Sequence, residues 1–284
     1  MQNNLTAIPA EIKTKLDNMN LTDRFLFSET AEDSEAYQAM VSIFMEEDIA
    51  VVNWTETEKE LRISPQLRAV RLDVIGSDEF GRLYQTEMQN RNTNNLPKRS
   101  RYYQGQIDVS LLPPGCKDFN KLNDVTMILV TPFDIFGYGL YKYTFEEQCL
   151  EIPELKLEDG AKRIFINTHG NNSQKFTKEF LDFMDYLNCS TDIIAEKSES
   201  TKIRKIHNVV QRIRKSEKMG VKYMQRWEEL EYARDDGREE GRYGLLLEKI
   251  ERKLEKGKSI EQIADELDED VETIREIAIE SQLI

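Results

Sequence analysis

Apolar and polar residues alternate along two neighbouring segments, residues 67–75 and 82–89, in which Val, Leu, Ile and Tyr are prominent. This alternation predicts two β-strands. Residues 77–81 between them are Ser-Asp-Glu-Phe-Gly, which is the composition of a tight turn. A three-residue loop that ends in Gly81 would close the hairpin with a bulge, because glycine adopts the left-handed backbone conformation that this position requires.

The register of this hairpin brings two acidic residues together. Counting outward from the turn sets Asp73 opposite Glu87 and Arg71 opposite Gln89. The side-chain roots of directly opposed residues lie roughly 4.5–5.5 Å apart, and two carboxylates at that distance repel each other unless a cation lies between them. A divalent metal ion is one such cation. The alternative is a solvated hairpin in which the acids form weak pairs with arginines of the same segment (Arg71, Arg82, Arg91).

The pattern predicts further elements on both sides of the hairpin, with two prolines and a glycine (residues 113–115) ending the second long helix. In chain order they are a helix (33–45), a strand (49–54), the hairpin, a helix (99–112), a strand buried on both faces (125–130), two more strands (137–145 and 162–167) and a helix (175–187). The first six elements have the order helix, strand, strand, strand, helix, strand. This order predicts an α/β fold.

The remainder of the chain is predicted to be helical and highly charged. We expect one domain over residues 1–195, a charged helical linker over 196–257, and a small helix-turn-helix-like tail over 258–284. The glycine-containing block 236–242 weakens a helix by about 1 kcal/mol per glycine, so it is expected to be a hinge or a close-packing site. The tail is too acidic to read DNA, and we expect it to make protein contacts, including self-association.

Residues 197–226 carry the long basic run of the chain, with ten Lys or Arg residues against two Glu residues. Its apolar residues recur at helical spacing. One interpretation is a positive helix that holds the DNA backbone beside the active cleft. The other is an amphipathic helix whose charged face is solvated.

Composition narrows the class of protein. The chain has 284 residues, of which 32% are charged, and a net charge of −14. It has no apolar run of membrane-spanning length and no secretion signal, so a soluble cytoplasmic protein without a membrane partner is expected. Three widely spaced cysteines argue against disulfides and a zinc site. The acidic balance opposes indiscriminate coating of nucleic acid but permits a local basic groove.

Five ordered blocks resemble a known family. They are LTDRFLFSE (21–29), RLDV (71–74), YQTEMQ (84–89), KRSRYYQGQID (98–108) and FINTHG (165–170). Asp73 with Glu87-Met88-Gln89 resembles the PD-(D/E)xK nuclease motif with Gln in place of the usual Lys, and the set is similar to the Rpn family of recombination-promoting nucleases and transposases. The resemblance implies a restriction-endonuclease-like αβββαβ core with a mixed sheet, in agreement with the element order, followed here by the charged helical C-terminal extension.

The chemistry of phosphodiester hydrolysis assigns roles to the hairpin. Mg²⁺ (or Mn²⁺) prefers carboxylate oxygens and retains several waters, so Asp73, Glu87 and the backbone carbonyl of Met88 are the expected ligands. Gln89 lies on the same face as Glu87 and can orient a water, but it lacks the charge of the usual Lys. Asp73, Glu87 and Gln89 are therefore the expected catalytic residues. The resemblance adds an acid from the first helix, for which Asp23, Glu29 and Glu35 are the candidates; the alternative for such an acid is a helix cap or a solvated charge.

The helix after the hairpin combines cations and aromatic rings. Lys98, Arg99, Arg101 and Gln104 are expected to contact DNA phosphate, and the three cations could replace the missing charge at residue 89. The alternative is that Tyr102 or Tyr103 packs in the core while the arginines are solvated.

The expected function is a metal-dependent DNA endonuclease without an organic cofactor. The resemblance implies a link to recombination or mobile elements. Two alternatives stay open, namely a catalytically weak or inactive member that binds DNA or protein, and a structural protein that assembles through its helical tail.

Overall fold

The computed structural model describes residues 9–50, 52–61 and 70–284, with only the backbone of Trp54. The chain divides into two compact units, Met1–Gly220 and Val221–Ile284. The sequence instead placed a domain boundary at residue 195. Each unit has its own apolar core, as described below.

The first unit opens with three helices, α1 (Ala10–Asp17), α2 (Arg24–Ala31) and α3 (Ser34–Met45). The predicted helix 33–45 corresponds to α3, whose cap Asp33 accepts a hydrogen bond from the Ala36 amide. Asp23 caps α2 in the same way through the Phe25 amide at 2.8 Å. Each cap satisfies an amide that would otherwise have no partner in the first turn. Neither α1 nor α2 was predicted.

A mixed six-stranded sheet forms the centre of this unit in the described residues. Its strands are β1 (Val52–Leu61), β2 (Val70–Asp78), β3 (Leu83–Met88), β4 (Val125–Thr131), β5 (Lys142–Phe145) and β6 (Ala161–Asn167). Their spatial order is β1-β2-β3-β4-β6-β5, with β3, β4 and β6 parallel and the other pairings antiparallel. Helix α4 (Leu96–Leu111) makes the crossover between the parallel strands β3 and β4. The αβββαβ core is therefore confirmed.

The hairpin has the predicted register. Ser77 pairs with Leu83 and Val74 with Thr86, and Gly81 has φ +78° at the end of the turn. The start of the predicted first arm, residues 67–69, lies outside the described residues. The preceding strand was predicted too short, since β1 extends to Leu61 rather than ending at residue 54.

Helices α3 and α4 cover opposite faces of β3. Tyr37 of α3 donates a hydrogen bond to the Tyr84 carbonyl at 2.8 Å and lies 3.0 Å from the Thr86 hydroxyl. Leu83, which faces the other way, belongs to a buried cluster with Leu96 and Ile107 of α4. Because alternate residues of a strand face opposite sides of the sheet, Glu87 lies on the same face as Leu83, the face that α4 covers.

Three further helices complete the first unit: α5 (Lys178–Asn188), α6 (Asp192–Lys197) and α7 (Thr201–Lys215). Helix α7 contains half of the basic run, and it packs on α3 rather than forming part of a linker. Lys205 pairs with Glu35 at 2.9 Å and Arg212 with Asp33 at 2.7 Å. Much of the positive charge of α7 is thus neutralised within the unit.

Helix α8 (Glu217–Leu254) begins in the first unit and supplies most of the second, together with α9 (Ile260–Leu267) and α10 (Val271–Glu280). The last two match the predicted tail helices, and Ile250, Ile263 and Ile274 are buried between the three helices. Helix α8 is continuous through residues 236–242, and its glycines there have open space around them. The prediction that this glycine block is a close-packing site is therefore wrong. No helix in the described part of the chain is long and apolar enough to cross a membrane.

Candidate active site

Two carboxylates lie where the hairpin strands diverge. Beyond the Val74–Thr86 pair, the Met88 amide donates to Asp73 Oδ2 at 3.0 Å, and the Asp73 amide donates to Glu87 Oε1 at 3.2 Å. Side chains thus bridge β2 and β3 at this point, while β3 continues to pair with β4 as far as Met88. The sequence placed these two acids opposite each other, and the structure brings them together.

Both carboxylates are buried, with 1% of Asp73 and 4% of Glu87 exposed. Burial raises the pKa of the Asp73 carboxyl, and the nearby Arg24 guanidinium offsets part of this effect. Burial also raises the pKa of Glu87, and the charge of Asp73 raises it further. Desolvation and like charge both disfavour ionisation. Without a metal ion, the two carboxyl groups therefore keep their protons to higher pH than ordinary carboxyl groups do.

Two arginines lie beside this pair, one from a helix that precedes the hairpin in sequence and one from the helix that follows it. Arg24, the first residue of α2, places Nη2 2.5 Å from Asp73 Oδ1. Arg99 of α4 places Nη2 3.7 Å from Glu87 Oε2. Neither arginine belongs to the hairpin. The salt-bridge alternative instead pairs the two acids with hairpin arginines.

The hairpin arginines have other contacts. Arg71 pairs with Glu58 and Arg82 with Asp78 at 2.7 Å. The Arg91 carbonyl accepts a hydrogen bond from the Gln89 side chain. The interpretation of the acids as members of a solvated, hairpin-internal ion-pair network is therefore wrong, because both are buried and their cations come from helices.

Gln89 is held at the edge of this pair by both ends of its amide. Its Oε1 accepts a hydrogen bond from Arg99 at 2.8 Å, and its Nε2 donates to the Arg91 carbonyl at 2.6 Å. Arg99 therefore contacts Glu87 and Gln89 with the same nitrogen. A guanidinium from α4 lies beside the position where the usual motif carries a lysine.

The other expected phosphate contacts of α4 divide into two groups. Lys98 and Arg101 are exposed, as phosphate contacts require. Gln104 is buried and donates to Asp108 at 3.0 Å, so its position does not suit contact with DNA. Tyr103 lies beneath the Arg99 guanidinium, 5.5 Å from ring centroid to Cζ, which fixes the direction of that side chain.

The three candidate acids of the first helices have other surroundings. Asp23 caps α2, Glu29 is buried within α2, and Glu35 is exposed and paired with Lys205. The acid that the structure brings to Asp73 is Glu58 of β1, whose Oε2 lies 3.5 Å from the same Arg24 nitrogen. Sequence reasoning missed Glu58 because the predicted strand ended at residue 54. The continued alternation Thr-Glu-Thr-Glu-Lys-Glu over residues 55–60 was the available signal.

The donor set of Asp73 and Glu87 fits a hard divalent cation. Carboxylate oxygens suit Mg²⁺, which is commonly held by one or two carboxylates and completes its shell with water. Asp73 Oδ1 has no hydrogen-bond partner in the described structure, although Arg24 lies beside it as an ion pair. In the described residues, no group of three or more His, Cys, Asp or Glu side chains is arranged to hold a metal ion.

Comparison with known proteins gives one family. The model described as PD-(D/E)XK nuclease family transposase matches residues 22–237. This range includes the hairpin, both site arginines and Glu58. No curated protein and no solved structure gives a significant match to the chain.

Proposed function

The chain belongs to the PD-(D/E)XK nuclease family transposases, and from that premise we propose that it is a DNA endonuclease dependent on Mg²⁺ or Mn²⁺. The observation that carries this proposal is the buried pair Asp73–Glu87 at the point where β2 and β3 diverge. Burying two adjacent carboxylates is costly, and a divalent cation is a ligand that offsets such a cost. The family name supports a role in recombination or with mobile elements.

Each site residue has a task in this proposal. Asp73, Glu87 and the Met88 carbonyl would hold the divalent cation, which would polarise a phosphoryl oxygen and lower the pKa of a bound water. Gln89 orients the attacking water through its amide. Arg99 supplies the positive charge that stabilises the developing negative charge on the phosphate.

The exposed cations Lys98 and Arg101 hold the DNA backbone. Both are on α4, the helix that also carries Arg99, so DNA bound along this helix would have a phosphate beside Arg99. Contacts of this kind position the duplex without reading its sequence.

The test is cleavage of supercoiled plasmid DNA with Mg²⁺, comparing wild type, Asp73→Ala and Glu35→Ala. The last is a matched control, because Glu35 is an exposed acid paired with Lys205. We expect cleavage by wild type and the control and its loss in Asp73→Ala. Equal inactivity of wild type and Asp73→Ala would refute the nuclease proposal.

A second candidate function is a catalytically weak or inactive family member that binds DNA or protein. The engagement of both ends of the Gln89 amide, by Arg99 and by the Arg91 carbonyl, favours it, because such an amide must exchange partners before it orients a water. Binding of DNA with Mg²⁺ present but no cleavage would identify this case.

We also propose that the C-terminal unit makes protein contacts, self-association included. Helix α10 carries Glu272, Glu276 and Glu280, against the single cation Arg275. Arg275 is itself paired with Glu272 and Glu261. Such a surface repels phosphate and suits a protein partner.

A further inference from the structure

One nitrogen of Arg24 lies between two carboxylates from adjacent strands. Arg24 Nη2 is 2.5 Å from Asp73 Oδ1 and 3.5 Å from Glu58 Oε2. The two oxygens are therefore no further apart than the sum of those distances. Asp73 is buried, the Glu58 side chain is 19% exposed and the Arg24 side chain is 41% exposed, so the point at which they converge is buried on the Asp73 side and reached by solvent on the Arg24 side.

Glu58, Asp73 and Glu87 occupy matching positions on three adjacent strands. The pairs Thr57–Val74 and Lys59–Leu72 bracket Glu58 and set it opposite Asp73 in the β1–β2 register. Glu87 lies opposite Asp73 on the other side, one residue beyond the Val74–Thr86 pair. Three acids thus form a row across β1, β2 and β3, with Asp73 in the middle.

The backbone of Glu58 is unusual for a strand residue. Its φ is +53°, a left-handed conformation that is unfavourable for residues with a β-carbon. Such strain persists where surrounding contacts compensate for it, and it is concentrated at functional sites. The Glu58 carboxylate forms ion pairs with Arg24 and Arg71.

We propose that the Arg24 guanidinium occupies the position of the divalent cation, and that Glu58 becomes a ligand of that cation beside Asp73 when Arg24 is displaced. The inference rests on the proposed function, which requires a metal at Asp73. A guanidinium and a divalent cation cannot both contact Asp73 Oδ1, because two cations at that separation repel strongly in a poorly solvated site. Arg24 is thus an internal competitor of the metal.

The direct test is the affinity for Mn²⁺, measured by electron paramagnetic resonance of the free ion. We expect Arg24→Gln to bind Mn²⁺ at least about tenfold more tightly than wild type, since it removes the competitor. Glu58→Gln should bind about tenfold more weakly, since a neutral amide oxygen replaces a charged carboxylate ligand. Neither readout depends on DNA cleavage.

Arg71→Gln is the matched control for charge. Arg71 pairs with the same Glu58 but is not a partner of Asp73, and its side chain is 63% exposed. If loss of any nearby positive charge explained the effect, Arg71→Gln and Arg24→Gln would increase the affinity equally. That result would overturn the competitor role of Arg24, and an unchanged affinity in Glu58→Gln would overturn the ligand role of Glu58.

A measurement on wild type covers the case in which Arg24→Gln fails to fold. The side-chain ¹⁵Nε signal of Arg24 should shift when Mg²⁺ saturates the site, because its ion pair with Asp73 is broken. An unchanged Arg24 signal in protein that has bound Mg²⁺ would refute the inference.

The two proposals fail in distinguishable ways. Mn²⁺ binding that Asp73→Ala abolishes supports the metal site of the proposed function, and equal affinities of Arg24→Gln and Arg71→Gln would then refute the inference alone. Displacement of Arg24 by Mg²⁺ in a protein that never cuts DNA would refute the nuclease activity alone. Absence of divalent-cation binding in both wild type and Arg24→Gln would refute both.

Discussion

Replacing Glu87 by glutamine removes one buried charge and retains the hydrogen bonds of that side chain. The Asp73 amide and Gln85 Nε2 both donate to Glu87 Oε1, at 3.2 and 2.8 Å. An amide oxygen at the same place accepts both. The other oxygen faces Arg99 at 3.7 Å, and the amide nitrogen that replaces it loses this ion pair, while Arg99 keeps its hydrogen bond to Gln89. The substitution therefore measures the cost of the buried charge net of its attraction to Arg99.

The raised pKa of Glu87, which is caused first by burial and then by Asp73, determines how the free energy of unfolding changes with pH. The folded protein binds this proton more tightly than the unfolded chain, so wild type loses stability as pH rises from the ordinary glutamate pKa through the raised one. Each pH unit of that interval costs about 1.4 kcal/mol. The pKa of Glu87 rises from 4.5 to about 8, so the advantage of Glu87→Gln in free energy of unfolding should grow from near zero in acid to on the order of 5 kcal/mol in mild alkali.

The assay is urea unfolding followed by circular dichroism at pH 5, 7 and 9, with a chelator present to remove divalent cations. Glu35→Gln is the control, since it makes the same chemical change at an exposed acid and should follow the pH dependence of wild type. Parallel curves for Glu87→Gln and wild type would contradict the reasoning, and so would a Glu87→Gln protein that is less stable at pH 9. Saturating Mg²⁺ should reverse the order, because wild type alone keeps both carboxylates.

Three further outcomes are expected. Gln89→Lys, which restores the usual motif, should cleave plasmid DNA no faster than wild type, because an ammonium at residue 89 replaces the acceptor of Arg99 with a like charge; faster cleavage would contradict this account. Lys98→Gln with Arg101→Gln should weaken DNA binding to a similar degree for unrelated sequences and reduce the salt dependence of log K by about 2, measured by fluorescence anisotropy with Ca²⁺ from 50 to 200 mM salt. Deletion of residues 258–284 should leave DNA affinity within about threefold of wild type, and it should lower the number of chains per particle that light scattering measures. A large loss of affinity would show that the acidic tail contacts DNA.

The hairpin was predictable from the sequence because residues close to one another in the chain determine its turn and its register. A turn that ends in Gly81 fixes the loop length, and the loop length fixes which residues face each other. Counting from that turn was enough to place Asp73 beside Glu87. The order of core elements followed in the same way from short-range periodicity, and the family resemblance agreed with it.

The counter-cations were not predictable in that way. Arg24 precedes Asp73 by 49 positions, and Arg99 follows Glu87 by 12. No periodicity links a helix residue to a strand residue at such separations, because their contact depends on how α2 and α4 pack on the sheet. Glu58 was missed for a related reason, since a charged, partly exposed strand lacks the apolar signal by which β1 would have been extended.

Charge runs illustrate the same limit. From sequence alone, the basic face of α7 is either a DNA-binding surface or a solvated face, and both interpretations treat the helix by itself. In the structure Arg212 meets Asp33 and Lys205 meets Glu35, acids far away in sequence. Arg214 is buried and donates to the backbone carbonyls of Ser190 and Met19. A run of like charge therefore predicts a surface only when the acids that pack against it are known.

Gln89 has a role of its own beside Arg99 and is not simply the loss of the lysine that the motif usually carries. Arg99 reaches the site from α4, stacks over Tyr103 and contacts both Glu87 and Gln89. With that guanidinium in place, a lysine at residue 89 would add a second cation within bonding distance of the first. Glutamine instead accepts a hydrogen bond from Arg99 and fixes its position. In the proposed active site, the positive charge of the usual motif would come from Arg99 of α4, and Gln89, which directly follows β3, would hold that side chain in position.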